Sequence, residues 1–490
     1  MALISLDTST DPQVGYRPSG TLDAESALAP YAGHFGVRQA AHLLRRAGFG
    51  GSAADVARTA GLGASAAVDS FVHPAAPELP FEAYPPREVL YAVKGGQART
   101  GTELWWLDRM LRTQHPLAEK MTLFWHGHFA TSIAKVPPAL MARQIDLFRA
   151  QGLGNFHALL AAVSVDPAMS VWLDNRSNSK AHPNENYARE VMELFALGLG
   201  EYTESDVKEA ARAFTGWAYD SHTMSVSFDP RRHDDGVKTF LGHSGNFGLT
   251  DVVNIIVAQP VHQRFLARKL LEYFVYSDPE PALTEAVAQT YALCGCDIAI
   301  TVGTILRSNV FYSARAYRAL PKSPIEFAVG LLRYVGATSV PPGLPDALRR
   351  MGQEPLAPPS VKGWDGGPAW INTTTLLARF NFVNALVATS RPAAGAIPAA
   401  ALSGAPNVAP DAIVSAAGGL DPARIVDAIV TSALQDDVTG DVRATLVAFL
   451  RSGGDAAMTV NPMPFGPENY QEKIRGALAL TFNLPVNQLN

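Results

Sequence analysis

Residues 181–217 read AHPNENYAREVMELFALGLGEYTESDVKEAARAFTGW. Apolar side chains return every three or four residues through this stretch, the period of an amphipathic helix. Pro183 and Asn184 punctuate its start, and the helix expected from Asn186 puts Asn186, Glu190, Glu193 and Leu197 on one side. A second helix starts at TESDVKEAARAFTGW, with Thr203 as its cap and Asp206 at the third helical position of a capping box. So many carboxylates and amides beside apolar faces either cap and pair helices or line a site.

The same period extends outward in both directions. It runs through ELWWLDRMLRT, LAEKMTLFWHGHFA and PALMARQIDLFRAQG between residues 103 and 160, and returns over 260–275, 281–293, 300–308 and 324–335. Another helix begins at Val37–Arg46 and stops at AGFGGSAAD, where Ser52 caps the next. Strand signals are few. SVSFDP and KTFLG flank RRHDDG and together predict one small hairpin. The expected fold is therefore mainly α, a large irregular helical domain with a small β-hairpin excursion.

Composition sets the domain plan. Residues 74–88 are too rich in proline for a helix and read as a connector, while 388–424 are dominated by Ala, Pro, Gly and Ser, before a last helical pair at 424–452 and 468–482. The plan is an N-terminal arm over 1–35, a helical core over 36–385, a linker or insertion over 386–424, and a C-terminal helical segment over 425–490. A chain of 490 residues can bury a sizeable pocket. With 17% charged residues, a net charge of −5 and no long block of like charge, it carries no general nucleic-acid footprint. No segment reaches the roughly 18 uninterrupted apolar residues of a membrane span. As numbered, the chain is expected in the cytoplasm, or in the periplasm or outside the cell if an export signal was removed. Cys294 and Cys296 form Cys-Gly-Cys, a poor disulfide geometry, and read as helix-packing thiols.

Four constellations could carry chemistry. Glu190 and Glu193 point the same way; buried, each raises the other's pKa, and with converging ligands they could bind a cation. Arg189 and Lys208 could instead pair them. Asn184, Glu185 and Asn186 add polar groups at the same helix start. His126 and His128 cannot chelate one ion on a helix, where residues two apart point about 200° apart, but could if Gly127 breaks the helix. His233, Asp234, Asp235 and Lys238 share a turn, a ligand source or a solvated loop. Trp364, Trp370 and Asn372 surround a glycine-rich loop, which suits a sugar or a lid packed on the core. The usual serine-hydrolase elbow, Walker loop, dinucleotide fingerprint and H-E-x-x-H helix are missing.

In order along the chain, HLLRRAGFG, PLAEKMTLFWHGHFATS, the 184–217 stretch, HDDGVKTFLG, LARKLLEYFV, PKSPIEF and PSVKGWDGGPAWINTTTLLARFNF resemble the bacterial DUF1800 family over roughly residues 36–385. The matching positions include His126, His128, Glu185, Asn186, Arg189, Glu190, Glu193, Glu209, His233, Asp234 and Lys238. The resemblance implies proteins that are often exported and often encoded beside DUF1501 proteins, and it brings no established reaction. The chain departs from the family pattern in showing no export signal and in ending FGPENYQEKIRGALALTFNLPVNQLN.

These readings combine into one expectation, a hydrolase acting on a glycan or another polar polymer. Glu190 or Glu193 would be the general acid or base, Arg189 would orient it, and Glu185 completes the catalytic set. Asn186, Lys238, Trp364, Trp370 and Asn372 would contact substrate. If His126, His128, His233 and Asp234 converge with the carboxylates, a divalent metal ion would activate the water. One alternative is an iron- or copper-dependent oxidoreductase built from the same groups. Another is a non-enzymatic binding or assembly partner of a DUF1501-type protein.

Overall fold

Helices begin where the sequence supplies caps. Ser52, Thr203 and Ser323 each accept a hydrogen bond from the backbone N–H three residues on, and Asp55, Asp206 and Glu326 reach back to the capping residue's own N–H. These reciprocal pairs satisfy donors that a helix start otherwise leaves orphaned. Proline in the first turn opens Pro116–His128, Pro138–Gln151, Pro260–Phe274, Pro281–Leu293 and Pro324–Tyr334, where its missing N–H costs nothing. The protein, seen in a computed structural model that describes residues 23–79, 81, 96–387, 410–452 and 465–490, is mainly α-helical. The first 22 residues and most of the proposed connector and linker lie outside the described residues.

Around a central aromatic layer the helices bury Trp106, Trp125, Phe129, Phe148, Phe156 and Phe195 completely. Helix Pro116–His128 contributes Trp125 to this layer and is buried along most of its length. Helix Pro260–Phe274 packs on Pro281–Leu293 and meets Pro116–His128 through Tyr273 against Phe124. No described helix is long and apolar enough to cross a membrane.

The β structure differs from the expected single hairpin. Ser225–Phe228 pairs antiparallel with Trp217–Asp220, and Lys238–Phe240 pairs with His243–Gly245, so SVSF and KTF belong to separate hairpins. The turn chemistry explains the second: Leu241 and Gly242 both have positive φ, 44° and 80°, as a two-residue type I′ turn requires. Residues 424–452 also divide, into Pro422–Leu434 and Gly440–Ser452, because Gln435 and Asp436 take left-handed backbone between them. The described part of the arm is docked rather than loose: Ala24–Leu28 is a short helix, and Tyr31 N–H bonds the Arg307 carbonyl at 2.7 Å.

The last residues are built into the core. Arg318 donates to the Val486 carbonyl at 2.8 Å, Lys322 to the Asn487 carbonyl at 2.8 Å, and Arg379 to Gln488 at 3.2 Å. Asn490 N–H bonds the Leu320 carbonyl at 2.8 Å. These contacts tie the C-terminal segment to the turn that precedes helix Pro324–Tyr334.

Candidate functional site

The groups expected to converge fall into two separate regions. The first surrounds helix Glu185–Glu190, which Asn184 caps by accepting from Asn186 N–H at 3.0 Å. The helix continues into a π-turn, Val191–Ala196, where Leu197 and Gly198 N–H both reach back to the Met192 carbonyl. Such a turn leaves the last carbonyls without helical partners. Two buried histidines supply them, His128 through Nε2 to the Phe195 carbonyl at 2.9 Å and His262 through Nδ1 to the Ala196 carbonyl at 3.0 Å. A carbonyl only accepts, so both contacting nitrogens carry hydrogen, and His262 Nε2 is left to accept from the Tyr291 hydroxyl at 3.0 Å. Burial drives the His262 pKa down to about 4, so the ring is a neutral pin.

On the outer face of that helix the charges are mostly paired. Arg189 holds Glu204 with two bonds, at 2.7 and 2.8 Å, and Glu185 lies 3.5 Å from the same guanidinium. Glu193 accepts from the Tyr202 hydroxyl at 2.7 Å. Glu190 is half-buried, and burial followed by the Glu193 charge raises its pKa. Asn186 donates to the Leu173 carbonyl at 3.0 Å.

The 233–238 turn closes on itself. Asp234 receives Arg212 through both oxygens, at 2.8 and 3.1 Å, which lowers its pKa to about 2, and Arg212 also holds Glu209 at 2.8 Å. His233 Nδ1 donates to the Thr215 carbonyl at 2.9 Å. Lys238 is buried with its ammonium on the Asp234 and Gly236 carbonyls. Each of these side chains therefore already has a structural partner.

Gly127 does not break its helix, which continues through His128. His126 lies edge-on to Trp106 and Trp364, while His128 faces Phe195 and Phe265, so the two rings serve different surroundings. His126 is fully buried with neither nitrogen bonded, and burial lowers its pKa to about 3. Among the described residues no three His, Cys, Asp or Glu side chains gather as a metal-ligand set. His126, His128, His233 and Asp234 are thus not brought together around one point, and the metal-assisted and redox readings lack a common donor set.

The second region is a cleft of about 440 Å³. Its walls come from helix Pro116–His128 (Leu123, Phe124, Gly127, His128), helix Pro260–Phe274 (Lys269, Glu272, Tyr273), the start of helix Pro324–Tyr334, and the 362–370 loop. Trp364 and Trp370 line it, whereas Asn372 is a helix cap that accepts from Thr374 and Thr375 N–H at 3.0 Å. The loop sits against the helix through a glycine pair. Gly363 has φ +87°, and a Cβ there would lie 2.2 Å from the Gly127 carbonyl oxygen. None of Glu185, Arg189, Glu190, Glu193 or Lys238 lines this cleft.

Three carboxylates of the cleft are already held by cations. Glu326 pairs with the buried Lys120 and accepts from Ser323 N–H at 2.7 Å, Asp365 takes Lys362 at 3.1 Å, and Glu272 takes Arg268 at 2.9 Å. Lys269 is different. Its ammonium stands 5.2 Å from the Phe265 ring centroid and makes no hydrogen bond or ion pair among the described residues. Burial, with Lys362 nearby, lowers its pKa against the opposing pull of Glu272. Sequence reading missed Lys269, Glu272 and Glu326 as site residues. The signal was present in FLARKLLEYFV, residues 265–275, where Phe265, Lys269 and Tyr273 recur at four-residue steps and so share a helix face.

Fold and cleft together define a mainly helical protein with a mixed aromatic and charged cleft between its helices. The chain belongs to the DUF1800 family, described as "Protein of unknown function (DUF1800)", whose match covers residues 42–489. That span passes well beyond residue 385 and takes in the C-terminal segment that the structure docks on the core. No curated protein and no solved structure matches the chain.

Proposed function

We propose that the protein binds an anionic polar ligand in the cleft beside Lys269, an acidic glycan segment being the class that suits it best, and that hydrolysis of such a polymer takes place there. The observation that carries this reading is Lys269, a half-buried ammonium with no hydrogen bond or ion pair among the described residues, in a cleft that also presents Trp364 and Trp370. A half-buried cation without an anionic partner keeps part of its desolvation cost, which a carboxylate or sulfate on the ligand would offset. The tryptophans offer flat apolar surface to the carbon face of a sugar ring. In a hydrolytic step, Lys269 would act as a positioning cation that holds the substrate's anionic group in the cleft.

The test is calorimetric titration of the protein with oligogalacturonate and, separately, with a neutral dextrin of equal length, followed by a reducing-end assay on the same mixtures. The expected result is saturable binding of the acidic chain, weakened by added salt, with the neutral chain at least tenfold weaker. Equal affinity for both, or binding indifferent to salt, contradicts the reading.

A further inference from the structure

His126 is fully buried beside the cleft, and a neutral imidazole carries one donor and one acceptor, neither of which finds a partner here. Its ring lies edge-on to Trp106 at 5.3 Å and to Trp364 at 5.6 Å between centroids. Trp364 lines the cleft and His126 does not, so the indole has the cleft on one side and the imidazole on another. A buried polar group without a partner is expensive, and access to water would relieve it. Of the two tryptophans only one can leave readily. Trp106 sits in helix Gly96–Arg112 and donates through Nε1 to Glu119 at 3.1 Å, whereas Trp364 sits on a loop.

That loop is tied to itself rather than to the core. Gly363 N–H bonds the Ser360 carbonyl at 3.1 Å, Ala369 N–H bonds the Gly366 carbonyl at 3.1 Å, and Lys362 pairs with Asp365 at 3.1 Å. Among the described residues, every hydrogen bond and ion pair of residues 360–369 stays within 360–371. Its hold on the rest of the molecule is packing, through the Trp364 ring and through Gly363 on the Gly127 carbonyl. Gly366 and Gly367, at φ 72° and 52°, give the chain a pivot beyond Trp364. Charge also works against the closed position, because Lys362 on the loop and Lys269 on the opposite wall act on each other as like charges.

We propose that residues 360–369 are a lid over the cleft, that its opening exposes His126 to the cleft and to water, and that an anion bridging Lys269 and Lys362 closes it. The closing step rests on the anionic ligand assigned to the cleft above; the lid itself does not. A bound carboxylate or sulfate replaces the repulsion between the two ammonium groups with attraction to both. The open lid admits ligand, and the closed lid keeps water from it.

The test is carbethoxylation by diethyl pyrocarbonate at low conversion, followed at each histidine by peptide mass spectrometry. His42 in helix Val37–Arg46 is the control within the same molecule, equally buried and likewise with an unpartnered Nδ1. In wild type His126 is expected to react about tenfold or more faster than His42, since only local opening uncovers it. Saturating oligogalacturonate is expected to slow His126 by about fivefold or more. Trp364→Ala is expected to accelerate His126 while His42 keeps its wild-type rate. If His42 accelerates too, the variant has loosened globally and Trp364→Leu takes its place. His126 as slow as His42 in wild type, or a His126 rate unchanged by loss of the indole in a folded variant, overturns the lid. Bound oligogalacturonate that leaves the His126 rate unchanged overturns the closure. Failure of oligogalacturonate to bind in the calorimeter overturns the ligand reading and the closure with it, while wild type and the Trp364 variants still decide the lid.

Discussion

Glu103 shows how a single buried carboxylate makes stability depend on pH. It is fully buried on helix Gly96–Arg112, with one oxygen 3.4 Å from Arg99 and the other without a partner. Burial, reinforced by the charge of Glu354, pushes its pKa up to about 7. Between about 4.5 and 7 the folded chain keeps a proton that the unfolded chain has released, so this group's contribution falls as pH rises through that window and is constant above it. Glu103→Gln is expected to remove that slope and to raise stability at pH 8 by about 1–3 kcal/mol relative to wild type, read from paired urea unfolding curves at pH 5 and pH 8. At this scale the sequence was partly legible. The mutual effect of Glu190 and Glu193 follows from their spacing, and it appears in the raised pKa of Glu190. What spacing could not give is the partner of each charge, since Arg189 chooses Glu204 across a turn and Arg212 chooses Asp234 twenty-two residues away.

Among elements, the two contacts that shape both regions are backbone contacts. The π-turn at 191–196 persists because His128 and His262 cap its free carbonyls, so His262→Phe is expected to cost about 1–3 kcal/mol, with the loss measured by denaturant unfolding. The cleft wall depends on Gly363 lying against the Gly127 carbonyl. Gly363→Ala combines a positive-φ penalty of about 1 kcal/mol with a clash that moves the loop, and is expected to weaken ligand binding as well as stability. If the variant keeps wild-type stability and affinity, the glycine pair does not set the wall. Helix starts were readable because caps are local, as at Ser52, Thr203 and Ser323. Strand pairing was not. SVSF and KTF each found a nearer partner through a tight turn, and only the positive φ of Leu241 and Gly242 decides the second pairing. Gly127 misled for a similar reason: read as a helix breaker, it serves instead as the flat place where a loop can approach.

For the whole molecule, the sequence showed which residues share a helix face but not which faces meet. The face carrying Glu190 and Glu193 ends beside Tyr202 and Arg189, while the face carrying Phe265, Lys269 and Tyr273 meets the Trp364 loop. Trp364 and Trp370 of the aromatic loop line the cleft, and the carboxylates expected to work beneath it lie elsewhere. The C-terminal segment completes the arrangement, since Arg318, Lys322 and Arg379 all anchor on residues 486–488. Ligand binding at Lys269 is checked by titrating oligogalacturonate into wild type, Lys269→Met and Glu190→Gln side by side. Glu190→Gln is expected to keep its Kd within about twofold of wild type, and Lys269→Met to weaken binding at least tenfold, about 1.4 kcal/mol or more. Loss of binding in Glu190→Gln with Lys269→Met unchanged would contradict it and return the site to the 185–193 helix.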